Sequence, residues 1–320
     1  MSRPARPRLE WRTVDGILLL DKPEGLSSNQ ALQCVRRLYR ARKAGHTGSL
    51  DPLATGVLPL CFGQATKVAG FLLDADKTYR ATLALGSRTA TGDREGEVVE
   101  RVPVPPLDAA AVEAVFARFR GLTEQVPPMY SALKRDGEAL YALARRGVEV
   151  ERAPRAVRIE SLALIHLAAD SLDFEVTCSK GTYVRTLGED LARGLGTVGH
   201  LGALRRTSVG GAFASAMPHA LGALEALAGD EAALDRLLLP LDAALEAFPA
   251  IVLGAGEAGR FRHGQTVEAV AAPGARVRLY APDGVFLGLG DSDDGRRVRP
   301  LRLMSGVDDA PAHSIPSAVS

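Results

Sequence analysis

The sequence predicts a mixed α+β protein with a smaller β-rich unit at its C-terminal end. Strand-like apolar runs are separated by irregular intervals and by helices of unequal length, whereas regular βαβ repeats would space them evenly. After Phe248-Pro249 the pattern changes to short strands, and Asp283-Gly284 stands between two alternating runs, as is typical of a β-hairpin. A length of 320 residues leaves room for about two domains.

Hydrophobic periodicity and capping residues predict the individual elements. We predict a buried strand over 15–20, a helix capped by Ser27 or Ser28 with Leu32, Val35 and Tyr39 on its apolar face, a strand over 77–85, a helix over 108–120 capped by Asp108, a strand through Phe174, Val176 and Cys178, a helix through Tyr183, Leu187 and Leu191, a helical region over 220–248, and strands over 276–281, 285–290 and 297–303. The corresponding domains are a basic N-terminal arm over 1–14, a main domain over 15–248, a β-rich domain over 249–305 and a disordered tail over 306–320.

Composition and cysteine spacing exclude several classes of protein. No apolar run reaches the roughly 20 residues of a membrane-spanning helix, and the arginine-rich N-terminus lacks the apolar segment of a signal peptide. Cys34, Cys61 and Cys178 are far apart in sequence, so neither a disulfide framework nor a zinc site is indicated. We therefore expect a cytoplasmic protein with no membrane partner.

The charge is unevenly distributed, although the net charge is only +1. Residues 1–67 contain 11 Lys and Arg against 5 Asp and Glu, and such a basic region attracts a phosphate backbone. Five basic residues lie on the first predicted helix or just after it: Arg36, Arg37, Arg40, Arg42 and Lys43. Their position before a glycine-rich loop favours phosphate contact, although a solvated helix face would also explain them.

The segment 44–58 (AGHTGSLDPLATGVL) carries the strongest functional signal. Its glycines permit positive φ angles, and Pro52 biases Asp51 towards an extended conformation. A carboxylate held in this way can be a nucleophile, a general base or a structural hydrogen-bond acceptor, and a metal is disfavoured because no acidic or His cluster lies nearby. From the residues alone, a turn with a solvated Asp51 and a structural His46 is an equally acceptable interpretation.

A second glycine motif matches a dinucleotide-binding pattern but lacks the elements that such a site requires. Residues 254–259 (GAGEAG) satisfy the dinucleotide-binding pattern after a strand-like run. Gly264, Pro273 and Gly274 interrupt the helix and second strand that such a fold requires. We therefore predict no dinucleotide site and no cofactor.

The run GHTGSLDPLATGVL closely resembles the catalytic motif of the TruB family, the bacterial tRNA pseudouridine synthases that modify uridine 55 in the TΨC arm. Further segments that resemble this family are 20–28 (LDKPEGLSS), 127–134 (PPMYSALK), 178–185 (CSKGTYVR) and 203–207 (ALRRT), so the matches extend over about 15–210. Beyond 250 the resemblance is looser, to the small RNA-binding PUA domain. The family resemblance implies the pseudouridine synthase fold, with a central mixed, mainly antiparallel sheet flanked by helices, and an isomerase that needs neither cofactor nor metal.

The same resemblance implies a set of site residues. These are Asp51 as the nucleophile, Arg185 as its ion-pair partner, Tyr79 stacked on a flipped-out uracil, His46 in the space that the nucleotide leaves, Tyr183 in contact with substrate, Leu204 beside the uracil, and Lys22 as a phosphate contact. The segment 20–28 as a whole is expected to support the Asp51 loop from behind. From the residues alone, Tyr79 and Leu204 could equally be core residues, and Arg185 could pair with Glu189 one helical turn away. The sequence leaves open whether Asp51 attacks the base, attacks the ribose or removes a proton from the sugar.

The partner implied by the resemblance is the TΨC stem-loop of tRNA, and we expect a monomer without an obligatory protein partner. Four arginines of the C-terminal unit are candidates for contact with the acceptor stem: Arg296, Arg297, Arg299 and Arg302. Two alternatives are an RNA-folding chaperone without catalysis and a hydrolase in which His46 assists Asp51. Formation of pseudouridine distinguishes the isomerase from the chaperone, and release of free uracil would indicate the hydrolase.

Overall fold

The computed structural model describes residues 10–131, 133–135, 137–210, 213 and 216–304. The predicted tail over 306–320 and residues 1–9 of the predicted arm therefore lie outside the described residues. None of the described helices is both long enough and apolar enough to cross a bilayer.

Secondary-structure elements follow one another in three stretches. Residues 10–131 contain β1 (Gly16–Lys22), α1 (Ser28–Leu38), β2 (Ala44–His46), β3 (Thr55–Phe62), a 3₁₀ turn (Gly63–Lys67), α2 (Ala69–Asp74), β4 (Lys77–Leu85), β5 (Ser87–Thr89), β6 (Val98–Arg101), α3 (Ala109–Ala117) and β7 (Gly121–Gln125). Residues 133–248 contain β8 (Lys134–Arg135), β9 (Glu138–Ala139), α4 (Leu140–Arg145), β10 (Arg155–Leu167), β11 (Ser171–Cys178), α5 (Val184–Gly194), β12 (Gly199–Val209), β13 (His219–Ala220), α6 (Leu221–Glu225), α7 (Glu231–Asp235) and a 3₁₀ turn (Ala243–Leu245). Residues 249–304 contain β14 (Ala250–Val252), α8 (Ala255–Arg262), β15 (Val267–Glu268), β16 (Arg276–Tyr280), β17 (Phe286–Ser292) and β18 (Arg297–Leu303).

A nine-stranded sheet forms the centre of the larger part of the molecule. The strand order is β13-β1-β3-β12-β4-β11-β10-β7, and β2 pairs with β3 outside this path. Neighbouring strands are antiparallel except for β1 with β13 and β3 with β12, which are parallel. The α+β class and the mixed, mainly antiparallel sheet are thus confirmed. The parallel pairing of β3 with β12 joins the strand after the Asp51 segment to a strand from much later in the chain, which becomes important for the site.

Helix α1 forms as predicted because its N-capping residue and its apolar face both favour a helix over the same residues. Ser27 accepts a hydrogen bond from the backbone of Gln30, whose side chain in turn contacts the Ser27 backbone, and this capping box satisfies the first free N–H groups. At the other end, Tyr39 stacks on Phe62 of β3 with the ring centroids 4.9 Å apart, and its hydroxyl donates to the carbonyl of Leu234. The helix is therefore fixed to the sheet and to the later part of the chain.

Three local expectations need correction. The region 220–248 forms only the five-residue helices α6 and α7 and a 3₁₀ turn, because Gly229 takes a φ of +94° and Pro240 lacks an N–H donor. Helix α3 begins after its Asp108 cap but ends at Ala117. Helix α5 begins at Val184, so Tyr183 stands at its N-cap rather than inside the helix.

The C-terminal stretch forms a separate five-stranded sheet, in the order β14-β16-β17-β18-β15. Its strands agree closely with the predicted hairpin, and Gly284 in the turn has a φ of +83°. Helix α8 contains the last two glycines of the GxGxxG run, and the strand that follows it, β15, pairs antiparallel with β18 at the far edge of the sheet. This arrangement differs from a dinucleotide-binding βαβ unit, in which the next strand lies parallel beside the first.

Candidate active site

The loop that carries Asp51 connects β2 to β3, two antiparallel neighbours. The backbone N–H of Leu50 donates to the Ser28 hydroxyl at 2.7 Å, and the Gly25 N–H donates to the carbonyl of Pro52 at 2.9 Å. A φ of +76° at Gly48 turns the chain into this loop. The segment around the start of α1 therefore holds the loop from behind, and the Asp51 side chain projects from its outer side into a cavity.

The predicted contact between Asp51 and Arg185 is present. Arg185 Nε lies 2.9 Å from Asp51 Oδ2, and the Arg185 side chain is only 5% exposed. Its two Nη groups donate to the carbonyls of Thr91 and Tyr130, each at 2.7 Å. These bonds fix the guanidinium in one orientation, so Arg185 in turn fixes the carboxylate. The alternative partner in the sequence, Glu189, lies instead 3.7 Å from Arg193.

The protonation of Asp51 depends on opposing effects. Burial raises the pKa of Asp51 above its ordinary value, and the nearby charge of Asp93 raises this pKa as well. The positive charge and the hydrogen bond of Arg185 act in the opposite direction. Asp93 is itself buried, with an oxygen 3.8 Å from Arg185 Nε. A carboxylate of raised pKa is more basic when ionised, and Arg185 favours that ionised form.

The cavity beside Asp51 has a volume of about 370 Å³, and its wall includes Tyr79, Tyr183, Arg185 and Leu204. This volume is within the range of small-ligand pockets. The structure thus brings five of the seven predicted site residues to one cavity, although they are separated by up to 153 positions along the chain. Their roles remain predictions.

The two tyrosines reach this cavity from different elements. Tyr79 lies on the central strand β4, where its phenol is in a buried environment that raises its pKa. Tyr183 stands at the N-cap of α5, and the side-chain amide of Gln125 holds its backbone from both sides. The Tyr183 N–H donates to Gln125 Oε1 at 3.0 Å, and Gln125 Nε2 donates to the Tyr183 carbonyl at 3.3 Å.

His46 and Lys22 do not line the cavity. His46 lies on β2, and its Nδ1 is buried without a hydrogen-bond partner among the described residues. Burial and the charge of Arg206 both lower the pKa of His46, which favours the neutral imidazole.

The expected phosphate contact of Lys22 is wrong in this structure. The side chain is 0% exposed, and its ammonium group donates to the carbonyls of Pro23 at 2.7 Å and Leu26 at 2.6 Å, with the Pro52 carbonyl at 3.5 Å. A phosphate cannot approach an ammonium group enclosed by backbone. The Lys22 ammonium group instead connects the turn at 23–26 with the Pro52 carbonyl of the Asp51 loop.

Three of the five basic residues near α1 make protein contacts. Arg36 lies over the Trp11 ring at 4.6 Å and donates to the Ala41 carbonyl, Arg40 pairs with Glu231, and Arg42 donates to the Trp11 carbonyl. These contacts attach the segment before β1 to the end of the helix. Phosphate contact by this group of residues remains a prediction.

Comparison with known proteins gives family matches along most of the chain. Residues 36–184 match the family model of the TruB family pseudouridylate synthase N-terminal domain, residues 185–246 match the tRNA pseudouridylate synthase B C-terminal domain, and residues 249–304 match the pseudouridine synthase II TruB C-terminal model. A tRNA pseudouridine synthase B from Burkholderia mallei (strain ATCC 23344) is 54% identical over 308 residues, which cover 93% of this chain and 97% of that protein. The chain belongs to the TruB family of pseudouridylate synthases.

A second relative agrees with this assignment, and a solved structure has a similar fold. A tRNA pseudouridine synthase B from Chromohalobacter salexigens is 51% identical over 295 residues, covering 91% of this chain and 95% of that protein. A chain from an H/ACA ribonucleoprotein, solved with a substrate RNA containing 2′-deoxyuridine, is 21% identical, with a TM-score of 0.69 and coverage of 92% of this chain and 86% of that chain. This last similarity concerns the fold alone. The chain is thus an isomerase of the pseudouridylate synthase class, as the sequence predicts.

Sequence reasoning missed four residues in or around this TruB family site: Asp93, Lys77, Gln125 and Arg206. Arg206 and Lys77 line the cavity although they are 1% and 5% exposed. For Arg206 a signal was available, because positions 204 and 206 share one face of a strand, and Leu204 was expected to face inward. No comparable pattern marks Gln125, whose partner Tyr183 is 58 positions away.

Proposed function

We propose that this chain isomerises uridine 55 in the TΨC loop of tRNA to pseudouridine, with Asp51 as the nucleophile on a flipped-out uridine. The observation that carries the proposal is the carboxylate of Asp51, which borders a cavity while the buried guanidinium of Arg185 holds it at 2.9 Å. The printed name of the 54% identical relative, tRNA pseudouridine synthase B, supports tRNA as the substrate.

The reaction requires only a rearrangement within one nucleotide. The bond between the ribose and the base nitrogen breaks, the uracil rotates, and carbon 5 of the base bonds to the ribose. Carbon 5 loses its proton to solvent and the freed ring nitrogen takes up a proton, so the product is an isomer of the substrate. Attack by Asp51 on the base, attack on the ribose and removal of a sugar proton all need an ionised carboxylate in contact with the nucleoside. Arg185 supplies the positive charge that favours this state.

The other cavity residues fit a nucleotide that has left its stack. A uridine inside a folded arm has to be extruded before a protein group reaches it. In the proposal, Tyr79 stacks on the extruded base, a type of contact that contributes about 1–3 kcal/mol. Leu204 closes the apolar side, Tyr183 contacts the substrate, and His46 packs where the nucleotide was. Recognition by loop shape and phosphates is typical of RNA-binding proteins.

The test compares Asp51→Asn and Asp51→Ala with wild type on an unmodified TΨC stem-loop. We expect both variants to lose pseudouridine formation, mapped by carbodiimide labelling, and to bind the RNA within about threefold of wild type because the cavity wall is otherwise unchanged. Asp190→Asn is the matched control, since Asp190 lies on α5 and pairs with Arg193 at 2.9 Å. Turnover by either Asp51 variant would remove this residue from the nucleophile role.

The same experiment separates the two alternatives. Wild-type protein that binds and refolds the RNA but forms no pseudouridine would favour a chaperone without catalysis. Free uracil among the products would favour a hydrolase. The monomeric state, the cytoplasmic location and the contact of the C-terminal arginines with the acceptor stem stay predictions.

A further inference from the structure

Arg206 is a buried cation that the proposed reaction does not yet use. It lies on β12, and only 1% of its surface is exposed. Among the fully buried side chains of the described residues it is the largest. It forms no ion pair with a carboxylate in the part of the chain that the structure describes. Buried charges in proteins are normally paired, because removing an ion from water is costly. An unpaired guanidinium beside the cavity therefore requires an explanation.

The guanidinium joins the two ends of the Asp51 loop. Arg206 Nη2 donates to the carbonyl of Gly48, three residues before Asp51, at 3.0 Å. Arg206 Nε donates to the carbonyl of Val57, near the start of β3, at 2.6 Å. Both donors belong to one rigid planar group. A single side chain thus links the beginning of the loop to its end, beyond the last backbone hydrogen bond between the two strands, from Thr47 to Pro59.

Two glycines of the loop motif allow this close approach. Gly56 pairs with Arg206 in the parallel ladder between β3 and β12, and its φ is +101°. A Cβ atom at this position would overlap the backbone carbonyl oxygen of Arg206, and one at Gly48 would lie 3.3 Å from Arg206 Nη1. A side chain at Gly56 would therefore separate β3 from β12, and one at Gly48 would press on the Arg206 guanidinium.

Arg206 also faces the predicted stacking residue. In the antiparallel ladder between β12 and β4, Arg206 is directly opposite Tyr79, and both line the cavity. Burial raises the pKa of Tyr79, and the nearby charge of Arg206 opposes that effect. The guanidinium therefore binds the loop carbonyls from a position beside Tyr79.

We propose that Arg206 is a positioning residue for the isomerisation, which fixes the width of the Asp51 loop and the location of the Tyr79 ring. This inference rests on the proposed function. Arg185 holds the carboxylate from the front of the cavity, and Arg206 holds the backbone that carries it. Although Arg206 borders the cavity, only 1% of its surface is exposed, and it acts through Asp51 and Tyr79 rather than by touching the substrate.

The test uses Arg206→Lys and Arg206→Met, with Arg205→Lys and Arg205→Met as matched controls. Arg205 is the preceding residue of β12, is 47% exposed and pairs with Asp21. Lysine keeps the charge but has one nitrogen, which cannot reproduce a fork to two carbonyls. We expect kcat to fall at least about tenfold in both Arg206 variants, with KM within about threefold, and no such split in the controls.

Two further measurements separate positioning from general destabilisation. Amide hydrogen exchange over residues 47–57 should accelerate in both Arg206 variants, relative to the controls, because the loop ends are released. Since the charge of Arg206 contributes to the low pKa of His46, NMR titration of that imidazole should give a raised pKa in Arg206→Met and little change in Arg206→Lys. If the methionine variant fails to fold, the lysine variant alone decides whether Arg206 positions the loop.

The outcomes are distinct from those that concern the proposed function. A folded Arg206→Lys variant with wild-type kcat, or with unchanged exchange over 47–57, overturns the inference. If wild type forms no pseudouridine, the proposed function fails, and the exchange experiment still decides whether Arg206 holds the loop.

Discussion

Replacing Arg185 by methionine tests the ion pair at the centre of the site. The change removes the contact at 2.9 Å to Asp51 and the hydrogen bonds to Thr91 and Tyr130. Removing one partner of a buried pair costs about 3–5 kcal/mol. The Asp51 side chain is 41% exposed, so water solvates part of the remaining charge, and we take roughly 2 kcal/mol for the reaction. This corresponds to a rate constant about 30-fold lower.

The sign of the pH effect follows from the same contact. Arg185 lowers the pKa of Asp51 against the effect of burial, so Arg185→Met should raise that pKa further. A smaller fraction of Asp51 is then ionised at a given acidic pH, and the acid limb of the pH–rate profile should move to higher pH.

The assay is single turnover with excess enzyme on a stem-loop whose uridine is tritiated at carbon 5, because that hydrogen is released when the new bond forms. Arg193→Met is the control, since Arg193 lies on the same helix, is 55% exposed and pairs with Asp190. We expect the control to remain within about twofold of wild type. An Arg185→Met variant within threefold of wild type, with an unmoved acid limb, would refute the reasoning.

Two predictions concern stability. Burial lowers the pKa of Lys22 from 10.5 to about 8, so the unfolded chain binds more protons between these pH values, and the free energy of unfolding should rise with pH across this window. Urea denaturation should show a smaller rise in the free energy of unfolding for Lys22→Met than for wild type, by on the order of 2 kcal/mol between about pH 8 and 10. The same pH dependence in both proteins would contradict a buried ammonium group at Lys22. Gly56→Ala should lower the free energy of unfolding by at least about 3 kcal/mol, because its Cβ would overlap Arg206, whereas Gly45→Ala, with open space around it, should stay within about 0.5 kcal/mol. Similar urea midpoints for the two alanine variants would argue against the tight approach of β3 to β12.

Local signals explain which parts of the fold were predictable. Helix α1 and the hairpin at Asp283-Gly284 depend on nearby caps, turns and periodicity, and both are present close to the predicted positions. The Ala/Leu-rich region 220–248 has high helix propensity, yet β13 and Leu239 pair with β1. These tertiary contacts, together with Gly229 and Pro240, outweigh propensity.

The site residues likewise divide into those that the sequence could predict and those that it could not. The contact of Asp51 with Arg185 was expected from the family resemblance, because both residues stand in long, specific motifs. The burial of Lys22 and the role of Arg206 were not, since each depends on carbonyl groups supplied by other segments. From sequence alone, a single Lys or Arg is interpreted as a phosphate ligand or a solvated charge, because the backbone groups that surround it in the fold are not known.

The order of strands in the large sheet has a consequence for synthesis on the ribosome. The cavity needs Asp51, Tyr79, Arg185 and Leu204 together, so a nascent chain has no working site until more than 200 residues have emerged. Until β13 arrives, strand β1 remains an open edge that can pair with another chain. Such long-range closure is slow, and we therefore expect unfinished chains to lack the complete cavity and to be prone to association.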